Sequence, residues 1–173
     1  LKSGSLPQTV IGTLMESGLP ARRLELEVTE SIFLDDNRYA HQMLRELQQI
    51  GLRLVLDDFG TGYSSLSYLR DYRFDGIKID RSFMNSVATS REDQAIVSAV
   101  GLLARELDME IVAEGIENIE QLEYARKAGV ENAQGYLMSA AQSPAVITDM
   151  IARNVTIGDA MASQLRDTVA KRA

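Results

Sequence analysis

Polar side chains capable of chemistry stand within or just after five apolar segments of this 173-residue chain. Glu27 and Asp57 lie near the ends of the first two segments, Lys78 lies in the third, Glu114 follows the fourth, and Gln134 lies in the fifth. The carboxyl ends of parallel strands reach one rim of a barrel or open sheet, where active sites form. The pattern therefore predicts that these residues, distant in sequence, surround one cavity.

Several carboxylates on one rim would repel one another and shift toward protonation unless cations neutralised them. Oxygen ligands suit Mg²⁺, Mn²⁺ or Ca²⁺ better than softer metals. The adjacent acids Asp57 and Asp58 could each face a different ion. Two ions about 3.5–4 Å apart suit phosphodiester cleavage, because one activates water and the other stabilises the leaving oxygen. Each acid taken singly could instead cap a helix, but the joint pattern favours a metal site.

Composition narrows the remaining chemistry. The net charge of −7 makes a general role in DNA or RNA binding improbable, because such a surface repels nucleic-acid backbones. The chain has no cysteine, and its only histidine, His41, lies far from any strand end. Hydrolysis here would therefore need metal-activated water and a carboxylate as the proton acceptor. No apolar run is long enough to span a membrane.

Five predicted strands alternate with helices, which favours a parallel α/β sheet with right-handed crossovers. Apolar patterning and capping residues predict strands over residues 23–29, 53–56, 76–80, 109–113 and 132–137. They predict helices over residues 6–17, 39–50 and 64–70, a helix that Ser90 and Asp93 begin, a helix between Asn118 and Gly129, and a helix over 143–151. Residues from 158 onward predict an amphipathic last helix.

Five ordered motifs connect these elements to a known family. They are LEVTES (26–31), DDFGTGYSSL (57–66), IKID (77–80), VAEGIE (112–117) and AQGYL (133–137). In order and spacing, residues from about 24 to 144 resemble the EAL-domain family. The resemblance implies an α/β fold, a (β/α)₈ TIM-type barrel with one atypical antiparallel strand. It also implies hydrolysis of cyclic di-GMP to linear pGpG in bacterial second-messenger signalling.

The resemblance also implies roles for individual residues. Glu27 and Asp57 are similar in position to ligands of a first metal, and Asp58 to a ligand of a second. Glu114 corresponds to a metal ligand or general base, and Lys78 to the residue that holds the attacking water or a phosphate oxygen. Two further residues, Glu117 and Gln134, correspond to supporting site residues. Glu30 resembles the glutamate that anchors the DFGTGYSSL loop.

The chain departs from the family pattern in two respects. The Glu-Ala-Leu motif of the first barrel strand and a metal-binding Asn of a later strand do not occur in it. The chain is therefore interpreted as a fragment with about the last five strands, inactive by itself, with a barrel domain over residues 1–153 and an amphipathic helical tail over 154–173. After Tyr136, where the family places a basic residue and prolines, residues 139–143 read SAAQS.

The expected partners are cyclic di-GMP and a second copy of the chain, which would pair through the loop and helix at residues 59–70. The expected cofactor is Mg²⁺ or Mn²⁺, and Ca²⁺ could occupy the same oxygens but inhibit. We expect a cytoplasmic location, or the cytoplasmic part of a membrane-attached protein. Two alternatives stay open: a catalytically silent cyclic di-GMP receptor, and another metal-dependent barrel enzyme such as an enolising lyase, which strand-end chemistry alone does not exclude.

Overall fold

The computed structural model describes residues 6–33, 38–62, 67–156 and 158. Its strands are β1 (Glu25–Thr29), β2 (Arg53–Phe59), β3 (Gly76–Ile79), β4 (Glu110–Ala113) and β5 (Asn132–Ala133). Its α-helices are α1 (Leu6–Ser17), α2 (Arg38–Ile50), α3 (Ser67–Asp71), α4 (Arg81–Ser86), α5 (Arg91–Glu106), α6 (Ile119–Lys127) and α7 (Pro144–Ala152). Short 3₁₀ helices lie at Ala21–Arg23 and Glu30–Phe33.

The five strands form one sheet whose order follows the chain, β1-β2-β3-β4-β5. The pairs β1–β2, β2–β3 and β4–β5 are parallel. This arrangement confirms the predicted alternation of parallel strands and helices. None of the helices in the described ranges is both long and apolar enough to cross a membrane.

Most helix boundaries match the local sequence signals. The prediction for α1 is confirmed at both ends, and α6 begins with a capping box in which the Asn118 side chain accepts from the backbone N–H of Gln121. Ser143 caps α7 in the same way, accepting from Val146 N–H. The short helix α4 was not predicted. Three parts of the sequence lie outside the described residues: Ser5, residues 64–66 of the predicted third helix, and residues 157 and 159–173 of the predicted tail.

Three predicted strands differ from the structure by two residues or more. The first was predicted from residue 23, but β1 begins at Glu25, because residues 21–23 form a 3₁₀ helix. The second was predicted to end at residue 56, but β2 continues through Asp57 and Asp58 to Phe59. The fifth was predicted over 132–137, but β5 ends at Ala133. Directly after β5, the backbone of Gly135 packs closely against that of Ile116. A Cβ added to Gly135 would lie 2.2 Å from the Ile116 carbonyl oxygen. Gly135 has φ 156°, and the approach turns the chain out of the strand.

The chain divides into two compact units, one of Leu1–Asp80 with Leu102–Ile111 and one of Arg81–Gly101 with Val112–Ala173. The core of the first unit includes Leu54, Val55 and Leu56 of β2, and all four residues of β3 are buried. Leu44 and Leu47 form the buried stripe of α2. In the second unit, fully buried side chains include Met84, Val87, Val97 and Ile116.

An aromatic cluster in the first unit contains the only histidine. His41 meets the rings of Phe33 and Tyr72 edge-on, at centroid distances of 6.2 and 5.6 Å. Its Nε2 atom is buried and has no hydrogen-bond partner among the described residues. The aromatic rings therefore exclude water from this nitrogen.

Candidate metal centre

The register of the sheet places three predicted site residues on one face of the first unit. Glu27 in β1 stands opposite Val55 in β2, and Val55 stands opposite Gly76 in β3. Side chains two residues apart in a strand share a face, so Asp57 and Lys78 lie on the same face as Val55 and Gly76. The intervening residues of β3 face the opposite side. Strand pairing therefore brings these three predicted site residues together.

Lys78 binds both carboxylates in this group. Its Nζ donates to Glu27 Oε1 at 2.8 Å and lies 3.1 Å from Asp57 Oδ1. The Lys78 side chain is only 8% exposed, whereas that of Glu27 is 48% exposed and that of Asp57 20%. A buried ammonium needs anionic partners, and these two carboxylates supply them. The two carboxylates therefore stabilise the Lys78 ammonium in its buried position.

The backbone conformation of Asp58 explains how the carboxylates of two adjacent residues lie close together. Neighbouring residues of a regular strand point to opposite faces. Asp58 has φ 53°, in the left-handed region, and the β2–β3 register is irregular between Leu56 and Phe59. The departure from regular alternation brings a carboxylate oxygen of Asp58 within 4.8 Å of one from Asp57. Asp tolerates this conformation better than most residues do.

The surroundings of Asp57 and Asp58 are unfavourable to negative charge when no cation is bound. Burial raises the pKa of the Asp58 carboxyl, and the negative charges of Asp57 and Asp80 raise the pKa further, while Lys78 lowers it. Asp57 Oδ1 is buried and, within the part of the chain described, accepts no hydrogen bond; its contact with Lys78 is an ion pair only. A divalent cation would remove both costs. The oxygen ligands present therefore fit a hard cation such as Mg²⁺, Mn²⁺ or Ca²⁺.

Glu30 links the end of β1 to the loop that follows β2. It is buried, and its Oε1 accepts the Gly60 backbone N–H at 2.7 Å. A Cβ added to Gly62 would lie 3.2 Å from Glu30 Oε2, so the same loop runs close to the carboxylate. Such a charge-assisted bond is stronger than a neutral one. The contact is the kind that a loop anchor requires.

The remaining predicted residues belong to the second unit. Gln134 Nε2 donates to Glu114 Oε1 at 2.7 Å, which orients the Glu114 carboxylate. Glu117 has an exposed side chain, and its backbone N–H donates to Gln121 Oε1 at 2.7 Å as part of the α6 cap. The meeting of Glu114 and Gln134 with the residues of the first unit on one rim stays a prediction.

One further acid, Asp80, affects the site although it was not among the predicted site residues. Its negative charge raises the pKa of Asp58. The signal was present in the IKID motif, because Asp80 lies two residues after Lys78 and so has the same strand parity.

Comparison with known proteins gives a consistent result. The family model described as "EAL domain" matches residues 1–141. The chain is 42% identical over 139 residues to the cyclic di-GMP phosphodiesterase NbdA of Pseudomonas aeruginosa, which covers 80% of this chain and 18% of that protein. It spans between 16% and 21% of the first four curated relatives.

Solved structures of proteins that bind cyclic di-GMP are similar to this chain in fold. The c-di-GMP complex of the PaMucR phosphodiesterase matches with a TM-score of 0.78 and 38% identity, covering 84% of this chain and 59% of that chain. The manganese and cy-diGMP complex of Klebsiella pneumoniae BlrP1 matches with a TM-score of 0.71 and 32% identity, covering 77% and 34%. The predicted fold, part of a (β/α)₈ TIM-type barrel, is confirmed by these likenesses and by the parallel sheet. With five ordered motifs and a family match over most of its length, the chain belongs to the EAL domain family.

Proposed function

We propose that this chain is the carboxyl-terminal part of a metal-dependent phosphodiesterase domain that hydrolyses cyclic di-GMP to linear pGpG. The observation that carries the proposal is the group of Glu27, Asp57, Asp58 and Lys78 on the first three strands. Relatives named as cyclic di-GMP phosphodiesterases and a neighbour bound to c-di-GMP support the choice of substrate.

Glu27, Asp57 and Asp58 would hold the divalent cations, and Mg²⁺ or Mn²⁺ is the proposed cofactor. Bound cations would supply an acidified water and would neutralise charge on the phosphodiester. A neighbouring structure contains manganese with cy-diGMP, and another contains calcium. We propose that Ca²⁺ occupies the same oxygens but supports hydrolysis poorly, because its coordination is looser.

Lys78 has two roles in this proposal. In the metal-free chain its ammonium neutralises Glu27 and Asp57. If a cation shared those carboxylates, the ammonium would donate to the attacking water or to a phosphate oxygen. Because the Lys78 side chain is only 8% exposed, it would remain in the site during this exchange.

Glu114 would act as ligand or general base, and the Gln134 amide would hold its carboxylate in place through the 2.7 Å hydrogen bond. Glu117 would support the site from the start of α6. The Glu30 contact with Gly60 would hold the loop after β2. We propose that the loop and helix at residues 59–70 form a homodimer interface. Cytoplasmic placement is part of the same proposal.

The proposal is tested in two stages. In the chain as printed, isothermal titration should show Mn²⁺ binding that Asp57→Asn and Glu27→Gln weaken, while Asp149→Asn on the exposed end of α7 leaves it unchanged. Turnover of cyclic di-GMP, followed by chromatography of pGpG, is expected only in a protein that also supplies the Glu-Ala-Leu strand. Near-normal turnover of Asp57→Asn with Mg²⁺ would refute the assigned role.

The silent receptor is favoured by one feature, the SAAQS segment after Tyr136, where the family has a basic residue. If the protein that also supplies the Glu-Ala-Leu strand binds cyclic di-GMP in Mg²⁺ but releases no pGpG over hours, it acts as a receptor. Size-exclusion chromatography with light scattering measures the proposed dimer in the same preparations.

A further inference from the structure

A groove of about 400 Å³ lies at the amino-terminal ends of the first unit's strands. Arg22 before β1, Arg53 at the start of β2 and Arg73 before β3 line it, together with Gln48 and Asp75. Its volume falls in the range of small-molecule sites. Three guanidinium groups in one concave surface are unexpected in a chain whose net charge is −7.

Two of the three arginines have no anionic partner among the described residues. Arg53 is occupied: its guanidinium lies 3.4 Å from Glu25 and 2.8 Å from Glu110. Arg22 and Arg73 are exposed and form no ion pair with any residue the structure describes. Recognition of an anion would therefore depend on these two residues.

The other polar groups of the groove are already engaged. Asp75 Oδ2 accepts the Leu54 backbone N–H at 2.9 Å, so this carboxylate is turned into the structure. Gln48 Nε2 donates to the Arg73 carbonyl oxygen at 2.5 Å, which holds the backbone of Arg73 beside the groove. The groove thus presents two guanidinium groups that pair with no described residue, and the backbone of one of them, Arg73, is held by Gln48.

We propose that this groove binds a small phosphate-bearing anion, such as pyrophosphate or the phosphates of a nucleotide. A guanidinium matches phosphate because its planar N–H groups can donate two parallel hydrogen bonds. The groove lies at the opposite end of β2 from Asp57, about 13 Å along a strand that rises roughly 3.3 Å per residue. Ligand binding there leaves the carboxylates of the metal centre untouched.

The test uses the full chain in EDTA and low salt, so that no cation recruits phosphate to the acidic centre. Pyrophosphate and ADP are the probes, and adenosine is the phosphate-free reference, measured by isothermal titration. The variant is Arg22→Gln with Arg73→Gln. The matched control is Arg105→Gln with Arg153→Gln, which removes the same charge from two exposed arginines that already pair with Glu106 and Asp149.

We expect one equivalent of pyrophosphate or ADP to bind, at least tenfold more weakly in the groove variant and within twofold of the original in the control. Affinity should fall as NaCl is added. Equal affinities for the two probes would identify the phosphates alone as the ligand, and tighter ADP binding would identify a nucleotide. No binding of either probe, equal loss in both variants, or adenosine binding as tightly as ADP would overturn the proposal.

Discussion

Replacing Lys78 with Met separates the two roles assigned to this ammonium. Lys78 is nearly buried and is the only described cation in contact with both Glu27 and Asp57. Methionine has a similar stem and fills much of the same volume, so the main change is the loss of a positive charge. The metal-free chain should therefore become less stable, while its affinity for a divalent cation should increase.

The magnitude follows from the exposure of each partner. The Glu27 carboxylate is 48% exposed, so its pair resembles a surface ion pair worth about 0–1 kcal/mol. Asp57 is 20% exposed and approaches the buried case, in which breaking a pair costs about 3–5 kcal/mol. An intermediate loss of about 2–3 kcal/mol is expected, which lowers the unfolding midpoint by about 5–10 °C in a chain of this length.

Calorimetry or fluorescence-detected unfolding in EDTA, repeated with saturating Mn²⁺, measures both effects. We expect Mn²⁺ to bind about tenfold more tightly to Lys78→Met, about 1.4 kcal/mol, because the ion no longer competes with the ammonium for the same oxygens. Lys127→Met on the exposed surface of α6 is the control and should change stability by less than about 0.5 kcal/mol.

The reasoning would be refuted by a Lys78→Met chain whose stability in EDTA equals that of the original. It would be refuted equally by Mn²⁺ binding that weakens on substitution, because the ammonium would then assist the cation instead of competing with it.

Three further predictions test the local geometry. The pKa of Asp58 is raised above its usual 3.8, so the folded chain loses stability as pH rises from that value through the folded pKa and the carboxyl becomes charged. Asp58→Asn should therefore raise the unfolding midpoint in EDTA at pH 7 and bring no gain near pH 3. Gly101→Ala should cost about 1–3 kcal/mol in urea, since its Cβ would lie 2.2 Å from the Ala128 carbonyl oxygen, whereas Gly12→Ala, with open space, should stabilise by about 0.5–1 kcal/mol. Glu30→Ala should cost about 1.5–3 kcal/mol and Glu30→Gln less, with equal losses arguing against a charge-assisted bond.

Local signals in the sequence were sufficient for most of the elements. Apolar periodicity and the residues around Gly18 and Gly129 located α1 and α6, and the caps at Asn118 and Ser143 set two helix starts within a residue. These predictions succeeded because caps and periodicity act over three or four neighbouring residues. The ordered motifs also identified the family.

The length of β5 could not be predicted in this way. Residues 132–137 were predicted as a strand, but Gly135 packs against the backbone of Ile116, nineteen positions earlier in the chain, and the strand pairing ends. His41 is a similar case, since its Nε2 is enclosed by rings from Phe33 and Tyr72, which no local pattern connects.

The sequence by itself determined which residues could carry the chemistry: the acids near the strand ends, the lysine with apolar neighbours, and the absence of cysteine. Only the tertiary structure decided how they meet. Strand pairing put Glu27, Asp57 and Lys78 on one face, and the left-handed backbone at Asp58 turned its carboxylate toward that of Asp57. The physical reason is that charge interactions depend on distances between side chains, and pairing register sets those distances across gaps of twenty or more residues.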